Sequence, residues 1–151
     1  MAQVNFYHLT HSSLTEALPT LVLKAAEADF KVVISVDNLR TEKEIDTLLW
    51  GYKDTSFLPH SNSQSKFAEE SAIHITSDMN KLPFEPTMLF IIGGHDVDHI
   101  GSYERCMVLF DGKDEAAVQG ARVRWSNLNK EGAHSLTYWQ QNTEGRWQKK
   151  V

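Results

Sequence analysis

VNFYHLTHSSLTEALPTLVLKAAEADFKVVISV, from Val4 to Val36, changes its hydrophobic period twice. Val4 to Leu9 is short and rich in β-branched and aromatic residues, the chemistry of a strand. Leu14, Ala17, Leu18, Leu21, Val22, Ala25 and Ala28 then recur at helical spacing and form one apolar stripe. Pro19 falls inside that run and is tolerated only within the first turn or so, because its ring blocks a backbone hydrogen bond. Lys31 to Val36 closes the stretch as a compact apolar run, the pattern of a buried strand. Strand, helix and buried strand in succession make a βαβ unit, joined by a right-handed crossover.

The rest of the chain extends that scheme. Thr41 and Glu44 read as a capping box for a helix from Glu42 to Tyr52, with Ile45, Leu48, Leu49 and Tyr52 as its apolar stripe. Residues 54–70 are polar, with Pro59, and read as a long loop. Ala72 to Thr76, Thr87 to Ile92 and Arg105 to Phe110 read as strands, the last closed by the turn Asp111-Gly112. A final helix is expected from about Asp114 to Asn129, with Gly132 near its C-terminal end. Leu136 to Gln141 and Arg146 to Lys149 then form two short strands joined through Gly145. There is no internal repeat and no boundary, so residues 1–151 are expected to be a single α/β domain with a largely parallel sheet flanked by helices.

Composition narrows the function. Of the 151 residues 41% are apolar, enough for a sizeable core, and the net charge is -5. An acidic chain without a dense Lys/Arg cluster is a poor holder of nucleic acid, since phosphate neutralisation needs a basic footprint. Cys106 is the single cysteine, which excludes an intrachain disulfide and suits a reducing compartment. Met1 to Leu9 lacks the basic flank and apolar run of a secretory leader, and no apolar run is long enough to span a bilayer. A cytoplasmic protein is expected.

The most tempting catalytic signal is Gly93-Gly94-His95-Asp96-Val97-Asp98-His99. Placed after a strand, His95, Asp96, Asp98 and His99 suggest a metal-dependent hydrolase. The spacing matches no zinc motif, however, and His95 and His99 share a face only on a helix that the two glycines disfavour. A solvated loop accounts for the same residues. The glycines make neither a dinucleotide fingerprint nor a P-loop. Cys106 falls inside a buried strand, where a structural thiol is the ordinary reading.

Two other features point to partners. On the helix from Glu42 to Tyr52, Trp50 stands about 140° from Ile45, off the apolar stripe. It is either covered by the following loop, where Phe57 and Leu58 precede Pro59, or offered to a partner. On the last helix Val118, Ala121, Trp125 and Leu128 make the core stripe, and Arg122 and Asn129 run along the edge nearest Trp125. An arginine one turn from an edge aromatic can lie over it, or the pair can grip an apolar side chain and a carboxylate together.

Phe6-Tyr7, Leu48-Leu49-Trp50, the run Ser56-Phe57-Leu58-Pro59-His60, Phe110-Asp111-Gly112, the helix from Ala121-Arg122 to Trp125, Gly132, Tyr138-Trp139-Gln140-Gln141, Gly145 and Trp147 follow in order with characteristic spacing. In these the chain resembles the chi subunit of bacterial DNA polymerase III holoenzyme. The resemblance implies a Rossmann-like α/β domain with no cofactor and no catalysis of its own, within a holoenzyme that is a DNA-directed DNA polymerase, a nucleotidyltransferase. It implies two partners. One is the psi subunit, which tethers chi to the clamp loader, or a helicase using the same surface, facing Trp50, Phe57 and Leu58. The other is the acidic C-terminal tail of single-stranded DNA-binding protein, facing Arg122, Trp125, Ser126 and Asn129. DNA is then met only indirectly, by a monomer or a heterodimer with psi. Val118 and Ser126 stand where the family helix often carries lysines, so weaker or more salt-sensitive tail binding is expected. Arg124, on the opposite edge of the stripe, Lys130 and the Lys149-Lys150 tail are the cations available to compensate.

Overall fold

The computed structural model describes residues 3–11, 14–28, 30–50, 60–62, 73–80, 82, 84–92 and 100–150. Among these residues eight strands form one sheet: β1 (Gln3–Leu9), β2 (Val32–Val36), β3 (His60–Asn62), β4 (Ile73–Thr76), β5 (Met88–Ile92), β6 (Arg105–Asp111), β7 (Ser135–Gln141) and β8 (Trp147–Lys149). Their order is β3-β4-β2-β5-β6-β1-β7-β8, and every pairing is parallel except that of β7 with β8. Among the described residues three α-helices accompany the sheet: α1 (Leu14–Glu27), α2 (Leu39–Trp50) and α3 (Glu115–Glu131). The largely parallel α/β architecture read from the pattern is therefore present.

Topology explains which face each helix covers. From β1 the chain leaves through α1 towards β2, on one side, while from β6 it leaves through α3 towards β7, on the other. With crossovers of one hand, opposite directions put helices on opposite faces. The core divides accordingly. Leu18, Val22 and Ala25 of α1 and Ile45 and Leu49 of α2 pack with Ile34, Ile75, Phe90 and Leu109. Ala121 and Leu128 of α3 pack with Val4, Phe6, Leu89, Val108 and Phe110 on the opposite face. Side chains alternate between faces along a strand, so β2 and β5 are buried at every position and feed both cores.

Several boundaries differ from the sequence reading. Pro19 is the sixth residue of α1, deeper than the first turn. The helix continues because Leu18, Val22 and Ala25 are buried against the sheet on either side of the one lost hydrogen bond. Helix α2 starts at Leu39, before the expected capping box, because Asn38 caps it instead: its Oδ1 accepts from the Thr41 amide at 2.8 Å. Glu44 is then free to pair with Arg40 at 3.1 Å. Glu42, which the apolar stripe omitted, is buried and accepts from the Ser77 amide at 2.9 Å, tying α2 to the end of β4. Strand β3 lies within the stretch read as loop. Its three polar residues carry no hydrophobic alternation, and only pairing with β4 at the sheet edge defines it.

Helix α3 follows its sequence signals at both ends. Asp114 caps it by accepting from the amides of Ala116 and Ala117, at 3.0 and 3.3 Å. Gly132 ends it in the left-handed conformation, φ 65°, which only glycine adopts without strain. Gly112 answers a different need. Its amide donates to the Leu9 carbonyl at 2.7 Å, locking the exit of β6 to the end of β1. A Cβ there would stand 2.5 Å from His8 Nε2 and 2.7 Å from the Leu9 oxygen, so no larger residue fits.

Candidate partner-binding cleft on α3

Parallel pairing aligns side chains across β6, β1 and β7. Phe6 lies opposite Val108 on one side and Tyr138 on the other, and in the next row His8 lies opposite Phe110 and Gln140. These side chains point to the face that α3 covers. Trp125 descends from α3 onto this surface, with its ring centroid 5.3 Å from Phe6 and 5.7 Å from Tyr138, both edge to face. Such pairs add about 0.5–1.5 kcal/mol beyond the area they bury. The His8 ring lies 4.9 Å from Phe110, and its Nδ1 shares a 2.8 Å hydrogen bond with the Tyr138 hydroxyl. The floor is a fixed aromatic platform.

Above this platform opens a cleft of about 540 Å³, lined by His8, Arg122, Trp125, Tyr138, Gln140 and Lys150. Arg122 is one turn before Trp125 on α3 and is exposed. Among the described residues it makes no ion pair. Lys150 arrives from the far end of the chain, where its amide donates to the Tyr138 carbonyl at 2.8 Å and fixes the backbone beside the cleft. Two cations therefore border a surface made of aromatic rings. Burial, and after it the Arg122 charge, hold the His8 imidazole below its ordinary range. Burial raises the Tyr138 hydroxyl while Arg122 pulls the other way. Burial thus favours the neutral form of both His8 and Tyr138, so the positive charge of the cleft belongs to Arg122 and Lys150. The arrangement can take an apolar group on the rings and a carboxylate at the guanidinium.

The sequence-based site is partly assembled here. Arg122 and Trp125 line the cleft; Ser126 and Asn129 are exposed on the same helix and do not line it. A helix turns about 100° per residue, and Ser126 lies that far from Trp125. Arg124, considered as a compensating charge, is half-buried and faces Cys106 rather than the cleft. His8, Tyr138 and Gln140 were not assigned to the site from sequence, whereas Lys150, expected there as a compensating charge, does line the cleft. Alternation along β1 and β7 gives each its face, but only strand order brings β1 beside β7 and under α3.

The second predicted surface lies largely outside the described residues. Trp50 is the last residue of α2, and its side chain lies outside the described residues, as do Phe57 and Leu58. His95, Asp96, Asp98 and His99 also lie outside them. Among the described residues no group of three or more His, Cys, Asp or Glu side chains is placed to hold a metal ion. Cys106 is buried, and burial pushes its thiol up to about 12, as expected of a structural cysteine. No helix among the described residues is long and apolar enough to cross a membrane.

Comparison with known proteins adds the family. A curated relative, the "Probable DNA polymerase III subunit chi" of Rickettsia prowazekii (strain Madrid E), is 24% identical over 118 residues, covering 74% of this chain and 71% of its own length. The family model described as "DNA polymerase III chi subunit, HolC" matches residues 1–135. That match takes in α3 with Arg122 and Trp125 and stops at the first residue of β7, so Tyr138, Gln140 and Lys150 lie past it. The chain belongs to the DNA polymerase III chi subunit family, the accessory subunits of that polymerase in DNA replication.

Proposed function

We propose that this chain is a non-catalytic adaptor acting as one domain, and that its α3 cleft captures the acidic C-terminal tail of single-stranded DNA-binding protein. The observation that carries the reading is the exposed Arg122 guanidinium, without a carboxylate partner among the described residues, beside Trp125 on an aromatic floor. An apolar side chain near the end of the tail rests on Trp125 and Tyr138. The terminal carboxylate meets Arg122, whose planar fork offers two parallel hydrogen bonds. Lys150 supplies a second charge where Val118 and Ser126 supply none. Because the site relies on few, exposed cations, affinity falls with added salt.

The other half of the bridge runs through psi, or a helicase using the same surface, to the clamp loader. It is proposed on family likeness, with Trp50, Phe57 and Leu58 as the contact, in the cytoplasm where replication takes place. The test is direct. A fluorescent tail peptide titrated into wild type and Arg122→Glu should lose at least about thirtyfold in affinity, since a charge-assisted contact is replaced by repulsion worth roughly 2 kcal/mol or more. Equal affinities, with the variant folded by circular dichroism, would remove the site. A pull-down with Trp50→Ala tests the psi arm separately, and loss of tail binding rather than psi in that variant would exchange the two assignments.

A further inference from the structure

The same two strands carry a second aromatic surface on the opposite face. Tyr7 of β1 and Trp139 of β7 are register partners, and Trp147 of β8 joins them, 5.1 Å from Tyr7 and edge to face. Helix α1 packs on β2 and β6, and Tyr7 lies against the edge of the core it covers. Trp139 and Trp147 are half-buried, yet neither is packed into either core cluster. A groove of about 320 Å³ runs between them and α1. Phe30 lies along it with the Arg105 guanidinium 5.2 Å from its ring centroid, and Lys24, in the last turn of α1, stands on the α1 side. Both cations are exposed, and among the described residues neither forms an ion pair.

We propose that this groove is a second protein-docking site, taking an acidic peptide segment that carries an apolar side chain. Aromatic rings with a flanking arginine are the side chains that dominate protein interfaces. The groove lies at the low end of the range for small-molecule sites and accepts one or two side chains of an extended segment. Its two cations lie to one side of the rings, which selects an anion next to an apolar group. A single-stranded nucleic acid is disfavoured, because it needs a basic track along its backbone and the chain carries a net charge of -5. This site does not depend on the α3 cleft. Its ligand needs acidic side chains and not a free chain end.

The test uses a short synthetic peptide of Asp and Glu residues around a Phe-Leu pair, blocked at both ends, and the full chain labelled at its indole nitrogens. Saturable shifts are expected at Trp139 and Trp147. Arg105→Glu and Lys24→Glu, both changes of exposed residues, should each weaken binding at least tenfold, while Arg122→Glu leaves it unchanged. The proposal is overturned if the shifts are confined to Trp125, if none saturates, or if Arg105→Glu binds as well as wild type. It is equally overturned if oligothymidylate moves these two indoles and the peptide does not.

Discussion

The two faces of β1 and β7 use the same kinds of side chain to opposite ends. On the α3 face Phe6 and Tyr138 are continuous with the core, Trp125 packs across both, and a hydrogen bond joins His8 to Tyr138. On the other face Tyr7 packs at the edge of the α1 core, while Trp139 and Trp147 beside it line an open groove along α1 and belong to neither core cluster. One aromatic group is a platform braced by the fold, and its variants should cost stability as well as binding. The other is a surface, and its variants should affect binding with little loss of stability. Preorganisation separates them, because a braced ring loses no freedom when a ligand arrives.

The largest expected effect tests the bracing. Phe6 is fully buried between Trp125 and Tyr138, so Phe6→Ala should cost about 3–5 kcal/mol in urea unfolding, through lost transfer and a residual cavity. Trp147→Ala on the other face should cost far less, and equal losses would erase the contrast. Next in size, Tyr138→Phe removes the hydroxyl shared with His8 and should cost roughly 1 kcal/mol, leaving the ring packing intact. An unchanged unfolding midpoint would mean the bond adds nothing to the platform.

A smaller effect concerns pH. His8 has its folded pKa depressed below the ordinary 6.5, first by burial and then by Arg122. The unfolded chain therefore binds the proton more readily, so the stability linked to His8 is present above about pH 6.5 and is lost as pH falls through the folded value. Arg122→Ala removes the lesser cause, and an imidazole titration by NMR should show the His8 pKa rise while staying below 6.5. A fall, or no change, would place Arg122 away from the cleft. The smallest signal is chemical: Cys106, with its thiol near 12, should resist a thiol reagent in the native state and react on unfolding. Rapid native labelling would contradict its burial in β6.

Much of the fold is written in local patterns. The period changes between Val4 and Val36, the Asp114 cap and Gly132 each act within a turn or a strand, where sequence and structure are neighbours. The α3 half of the site was legible for the same reason, since Arg122 and Trp125 share one helix. His8 and Tyr138 were not, because they reach the cleft only through strand order, and Lys150 was expected only as a compensating charge, its place fixed by a hairpin whose alternation turns it to the α3 side. Glu42 was left off the buried face because a buried carboxylate is recognised only by its partner, Ser77, 35 residues away. Strand β3 escaped notice because edge strands need no apolar period.

At the centre stands one physical claim, that Arg122 reads the terminal carboxylate of an acidic tail whose apolar side chain lies on Trp125. A double-mutant cycle isolates it: tail peptides with a free and an amidated C-terminus, each titrated against wild type and Arg122→Ala. Amidation should weaken wild-type binding about tenfold or more and leave the Arg122→Ala affinity almost unchanged. If the amidated peptide binds wild type as tightly as the free acid, Arg122 does not hold the chain end.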